Sequence, residues 1–128
     1  MPELVINGRF RHQRLTGVQR VAVEITRLLK TPYRIIEPNR DANGGRGHLW
    51  EQLVLPVRAG RQLLWGPCNT GPVAKARQIV TIHDAVPWTH PETLTSRGAS
   101  WHKAMAKRAQ KHADAIVVPT HAVATQLS

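Results

Sequence analysis

One cysteine, Cys68, stands in 128 residues, and that scarcity removes two kinds of chemistry at once. No intramolecular disulfide can form and no cysteine-based zinc site can be assembled, so a reducing cytoplasm is the simplest compartment. The single Tyr and single Phe are not interleaved with basic residues, and no RNA- or DNA-binding motif appears, which disfavours a nucleic-acid partner. No run approaches the roughly 18 consecutive apolar residues of a spanning helix. The opening Met1-Pro2-Glu3-Leu4-Val5-Ile6-Asn7 has no basic stretch leading into an apolar core, so no secretory signal is expected. Acidic residues are scarce too, 8 against 18 Lys plus Arg, a formal charge of +10. Such an excess favours a polyanionic partner: nucleic acid, an anionic membrane surface or phosphorylated substrates. Charge alone does not choose among them.

What is present suits one globular domain over residues 1–128. The apolar fraction is 41% and the charged fraction 20%, enough for one proper core at this length. Leu4-Val5-Ile6 reads as a buried strand ending at Asn7-Gly8. The loop from Gly8 to Leu15 carries Arg9, Arg11, His12, Gln13 and Arg14. Thr16 then caps a helix, with Gln19 at the capping-box spacing. Val18, Val21, Ala22, Ile25, Leu28 and Leu29 form the stripe of a helix lying on a sheet. Glu24 falls four residues after Arg20 on the flank of the polar face, and Pro32 stops the helix.

Tyr33 to Ile36 is a second strand, and Glu37 to Gly47, rich in Asn, Asp and Gly, is the most loop-like stretch. Trp50 to Val57 reads as a short helix or turn. Gln62 to Trp65 is a third strand cut off by Gly66-Pro67, and Gln78 to Ile82 is the clearest strand of all. From His83 to Ser96 there is no period; loops of about 14 residues are uncommon in compact domains and usually functional. A second long helix covers Arg97 to Ala113, with Trp101, Ala104, Met105 and Ala109 facing inward. Ala115 to Val118 is a fifth strand, and Thr120 can cap a last helix before Ser128. Strands that are apolar runs, alternating with helices or long connections, predict an α/β fold. The expected form is a Rossmann-like open parallel sheet with helices on both faces and right-handed crossovers.

In such a sheet, ligands bind outside the carboxyl ends of the strands. Four segments leave those ends: Gly8 to Gly17, Gly66 to Gly71, His83 to Pro91, and Pro119-Thr120. Gly17 reaches a helix N-terminus, where free N–H groups and the helix dipole favour an anion and a missing side chain lets a phosphate approach. The plainer reading is a glycine tolerated beside a cap, and no G-x-G-x-x-G is present. His83 can hydrogen-bond a substrate or act as acid or base near neutral pH, with Asp84 orienting it or holding a hydroxyl. Alternatively, the pair merely ends a strand and starts a turn. A metal held by His83, Asp84 and His90 matches no standard zinc spacing. Asn69 and Thr70 are ligand contacts or ordinary turn formers. Cys68 has no base marked to activate it. Lys103, Lys107 and Lys111, beside Arg108 and His112, form a basic helix face that is simply solvated or meets a membrane surface or phosphate.

Several ordered stretches carry a resemblance. They are Asn7-Gly8-Arg9-Phe10, Thr16-Gly17-Val18-Gln19-Arg20, Leu64 to Pro72, Val80-Thr81-Ile82-His83-Asp84, and Val117-Val118-Pro119-Thr120. In order, over nearly the whole chain, they resemble the N-terminal domain of bacterial glycosyltransferase family 4, half of a GT-B architecture. That resemblance implies transfer of a hexose from a nucleotide-sugar to a glycan or lipid-linked acceptor with retention, and no cofactor beyond the donor substrate. It places Gly17, with Val18 and Gln19, near the donor diphosphate. It sets His83 and Asp84 at the reacting sugar, with Asn69, Thr70 and Thr120 as substrate contacts. His83 would position and stabilise rather than attack, the donor phosphate helping to take the acceptor proton.

The family's diphosphate-holding basic residues and paired glutamates belong to a second, C-terminal domain. The chain is therefore expected to be the acceptor-side half, partnered by a separately encoded donor domain or truncated. Turnover is not expected from it alone, since electrostatic stabilisation of the leaving group and donor placement would both be missing. The expected location is cytoplasmic, with peripheral contact to the inner face of the membrane. The alternative from another class is a small basic nucleic-acid-binding module.

Overall fold

A computed structural model describes residues 4–39, 44–75, 77–83, 92 and 96–127. Among them, five strands form one all-parallel sheet: β1 (Leu4–Asn7), β2 (Tyr33–Ile36), β3 (Leu64–Gly66), β4 (Gln78–Thr81) and β5 (Ala115–Val117). Their spatial order is β2-β1-β3-β4-β5. A 3-10 turn over Gly8–His12 leads from β1 to α1 (Gly17–Leu28). Helices α2 (Gly44–Leu53) and α3 (Leu55–Ala59) lie between β2 and β3, α4 (Ser96–His112) between β4 and β5, and α5 (His121–Leu127) follows β5. The chain is an α/β, Rossmann-like domain, as its apolar strand runs predict.

Neighbouring residues of β1 serve opposite faces of the sheet, as the two-residue period of a strand requires. Val5, with Ile36 and Leu64, packs on Leu55 and Ala59 of α3 and on Trp50 of α2. Ile6, with Trp65, packs on Phe10 and on Ala22 of α1. Val80 is in register with Gly66 and Ile116 and packs with Ala106 and Ala109 of α4. Gly66 lies two residues from Leu64, so α4 shares the face of α2 and α3. Among the described residues, α1 stands alone against the other face.

That asymmetry corrects the expected stripe of α1. Ala22 and Thr26 are the buried residues, while Val21, Ile25 and Leu28 are 41%, 40% and 71% exposed. The apolar period found the right side of the helix, but α1 is the one helix that the described residues place on this face, its flank is exposed, and Val117 of the sheet is 48% exposed as well. The N-terminus of α1 follows expectation: the Gln19 carboxamide oxygen accepts from both the backbone N and the hydroxyl of Thr16. Glu24 meets Arg27 at 3.5 Å rather than Arg20.

Four further readings change. Helix α2 begins at Gly44, so the end of the stretch expected to be loop is helical; burial of Gly47 and Glu51 outweighs the poor helix propensity of glycine. Trp50 to Val57 is neither one helix nor a turn. It spans the end of α2 and the start of α3, which restarts with Pro56 in its first turn, where a missing N–H costs nothing. On α4, Ala99, Met105 and Ala106 are buried but Ala104 is exposed. Strand β3 also continues through Gly66 instead of stopping before it. A Cβ there would come within 2.9 Å of the Thr70 carbonyl oxygen, so the position demands glycine.

Candidate functional site

The order β2-β1-β3-β4-β5 reverses its direction of growth between β1 and β3, and the crevice at such a switch point is where ligands of open α/β sheets bind. From the β1 side, Asn7 Oδ1 accepts the backbone N–H of Arg9 at 3.2 Å, turning the chain into the 3-10 segment that buries Gly8, Arg9 and Phe10. A Cβ on Gly8 would lie 2.9 Å from the Ile36 carbonyl oxygen, so β2 can run closely past this turn only beside glycine. The turn sends the Arg9 side chain inward, towards α2.

There Arg9 donates to Glu51 Oε2 at 2.8 Å and approaches His48 Nδ1 at 3.2 Å. Glu51 is fully buried; Thr70, from the tip of β3, donates its hydroxyl to Glu51 Oε1 at 2.8 Å. Burial pushes the Glu51 carboxyl up, and the Arg9 charge and the Thr70 hydrogen bond pull against that push. A buried carboxylate tied to a guanidinium and a hydroxyl has the partners it needs in a low-dielectric site. His48 is pushed down to about 4 by burial, then by Arg9 and His102, so it is neutral near pH 7. Its ring lies edge-on to Trp101 of α4, centroids 4.9 Å apart. The Trp101 indole N–H is itself buried without a partner among the described residues.

From the β3 side, the chain makes a tight turn. Asn69 takes a left-handed conformation, φ 71, one that asparagine tolerates better than most residues. Its backbone N donates to the Thr81 carbonyl at 2.8 Å, and its Oδ1 accepts the backbone N–H of His83 at 2.8 Å. The His83 ring places Nε2 2.6 Å from the Pro67 carbonyl oxygen. Trp65 reinforces the β4 end by donating Nε1–H to Thr81 Oγ1 at 2.9 Å. Burial, and then the Glu51 charge, push the Cys68 thiol up to about 12. It therefore stays protonated near neutral pH and is no nucleophile.

Asn7, Arg9, Gln13, Pro67, Cys68 and Thr70 line one narrow cleft between these two turns. Gln13 accepts from Gln19 Nε2 at 3.2 Å, which ties one lining residue to the first turn of α1, where Gly17 and Val18 also lie. Pro67, another lining residue, is bonded to the His83 ring. Gly17 is exposed, and a Cβ added there would meet nothing within 4 Å. The protein's own packing does not demand a glycine at that position. Thr70 is buried on Glu51 and Asn69 is engaged with His83, so both support the site from within. Thr120 is exposed and donates nothing to the cleft; its Oγ1 accepts the backbone N–H of Val123 at 3.2 Å, capping α5. Asp84 and His90 lie outside the described residues.

His48 and Glu51 are the members that motif reading misses, and Arg9, though part of a resembling stretch, is given no role by it. Among the described residues, no group of three His, Cys, Asp or Glu side chains is placed to hold a metal ion, and no helix is long and apolar enough to cross a membrane. Against known protein families, curated proteins and solved structures, the chain matches none.

Proposed function

We propose that this domain is the acceptor-side half of a retaining glycosyltransferase resembling family 4. In this reading, its strand-tip cleft receives the region where a nucleotide-sugar meets a glycan or lipid-linked acceptor. The observation that carries the reading is convergence. Gln13, Pro67 and Thr70 line the cleft at the β1–β3 switch point; Gln13 is hydrogen-bonded to Gln19, two residues from Gly17 at the start of α1, and Pro67 to the ring of His83. Gly17 and Val18 offer backbone N–H groups to a diphosphate oxygen, where the helix dipole adds attraction. His83 meets the sugar, and Asn69 holds His83 in place. The neighbouring Asp84 is assigned to an acceptor hydroxyl. In this reading a partner domain holds the donor's base and most of its diphosphate, and this half supplies orientation and a polar wall.

Arg97, Lys107, Arg108 and Lys111 are exposed on α4, a helix with no acidic residue. In the same reading they form the face that meets anionic lipid when the acceptor is lipid-linked. A nucleic-acid module would use this same basic face. The one Trp, Tyr or Phe of α4, Trp101, is turned inward against His48, so this face offers a base none of the large rings that such modules use for stacking.

The test is a titration of the 15N-labelled chain with inorganic pyrophosphate, uridine diphosphate glucose and guanosine diphosphate mannose, followed by amide shifts. Pyrophosphate is expected to move Gly17 and Val18, and the nucleotide-sugars to move His83 as well. Shifts confined to α4, or to none of these residues at tens of millimolar ligand, would sink the reading.

A further inference from the structure

All five strands are parallel, so the cleft occupies one pole of the sheet and the amino ends of the strands form the other. At that second pole, cations gather on one turn. Residues 58–62 end α3 and lead into β3, with Gly60 at a positive φ of 59. Arg58 and Arg61 belong to the turn and are exposed, as is Arg77. From the segment before β4, Lys75 Nζ donates to the Gly60 carbonyl at 2.7 Å and Arg77 Nη1 reaches the Arg61 carbonyl at 3.5 Å. From β2, Arg34 Nη2 donates to Gln62 Oε1 at 2.6 Å and to the Arg58 carbonyl at 3.3 Å. Arg58 itself reaches the Glu37 carbonyl at 3.5 Å. The backbone from 58 to 61 spans at most roughly 11 Å, so these side chains share one small surface.

Their acceptors are carbonyls and a carboxamide, which orient a cation without cancelling its charge. Among the described residues, no carboxylate pairs with Arg58, Arg61, Lys75 or Arg77. Burial, and then the Arg77 charge, push the Lys75 ammonium down, while Asp114 ahead of β5 pulls against them. Closing a helix end explains only part of the arrangement. The carbonyl end of a helix carries about half a negative charge, and four cations exceed that several-fold. Like charges held around one turn repel one another until an anion comes between them.

We propose that the turn 58–62, together with Lys75 and Arg77, is a second anion site that binds a multiply charged phosphate. The guanidinium groups of Arg58, Arg61 and Arg77 have more N–H donors than their carbonyl bonds use, in the planar fork that matches paired phosphate oxygens. Lys75 adds a fixed charge from beneath. The site lies at the strand ends opposite the cleft, so a ligand held there leaves the cleft open. It therefore acts as an anchor, and it does not depend on what the cleft transfers. Two sources share the chemistry: a free polyphosphate anion and a phospholipid headgroup.

The test follows amide shifts of the full 15N-labelled chain with sodium tripolyphosphate at low ionic strength, beside co-sedimentation with phosphatidylglycerol and with phosphatidylcholine vesicles. Tripolyphosphate is expected to move the amides of Gly60, Arg61, Gln62 and Arg77, with an affinity that falls as salt is raised. Arg61→Gln combined with Arg77→Gln should weaken it about tenfold or more. Lys107→Gln combined with Lys111→Gln removes the same charge from α4 and should change it by less than about twofold. All four side chains are exposed, so neither double variant disturbs the core. Tripolyphosphate binding without vesicle binding identifies a free phosphate as the source. Phosphatidylglycerol vesicles that bind the parent chain and release Arg61→Gln with Arg77→Gln identify the headgroup. Equal weakening by the two double variants overturns the site, because a diffuse field would then explain the attraction. Shifts at Gly17 and Val18 with none in the turn overturn this inference and leave the transferase reading standing.

Discussion

The tips of β1 and β3 and the tip of β5 end the same sheet, yet they are held together by different means. At β1 and β3, Arg9 finds Glu51 across 42 residues of sequence and Thr70 finds Glu51 across 19; both bonds are buried. At β5, Thr120 caps its own helix three residues on, Gln110 Nε2 reaches the Leu127 carbonyl at 3.0 Å, and these contacts are exposed. No residue of α5 is buried. A polar group that is buried must find a partner or pay for desolvation, and partners distant in sequence make separate segments move as one. The cleft is expected to be the stiffer end for that reason, and the β5 end to exchange its amides faster, as segments with few buried contacts do.

The largest effect that would break this contrast is expected at Arg9. Arg9→Ala leaves Glu51 buried without its cation and should cost about 3–5 kcal/mol, read as a fall in the urea midpoint with an unchanged slope. The double change Arg9→Met with Glu51→Leu should recover most of that loss, because a buried pair is worth far less than the penalty of breaking it. A single-variant loss under about 1 kcal/mol would mean that the network does not tie the two tips together.

A smaller effect is expected at the β3 turn. Asn69→Ala puts an ordinary side chain at φ 71 and removes the acceptor of the His83 N–H, a loss of about 1–2 kcal/mol. Asn69→Gly keeps the backbone at ease and should lose less. Equal losses would show that conformation contributes nothing there.

His48 sharpens the comparison through pH. Its native value of about 4 lies below the ordinary 6.5, so between those limits the unfolded chain holds a proton that the native chain refuses. Stability therefore rises with pH across that window and falls as pH drops through it. Glu51, pushed up by burial, acts in the opposite sense. The informative quantity is thus the difference between the parent chain and His48→Gln, whose melting temperature should fall less from pH 6.5 to pH 4. The smallest effect is expected at Thr120→Ala, about 0.5 kcal/mol or less in global unfolding, with faster amide exchange confined to residues 121–127.

The sequence carried the fold well because the strands are uninterrupted apolar runs and α1 has a helical period with its capping pair, Thr16 and Gln19. It could not say how much of α1 the sheet would cover, since the exposure of Val21, Ile25 and Leu28 depends on which other helices share that face. The cleft was half legible. Gly17, Asn69 and His83 were visible as short polar motifs at strand ends. Glu51 was not, because a lone glutamate beside Trp50 has no local signal, and its partners Arg9 and Thr70 lie in other segments. Thr70 and Asn69 were correctly placed at the strand tips, but their hydrogen bonds turn inward to Glu51 and His83, a direction that spacing does not encode.

The central claim is that the cleft between the β1 and β3 tips is where a ligand sits. Crystals of the chain soaked in a nucleoside diphosphate hexose test it most directly. The account predicts density for the diphosphate at the Gly17–Val18 N–H groups with the hexose beside His83. Ordered ligand along the basic face of α4, with the cleft unchanged, would contradict it.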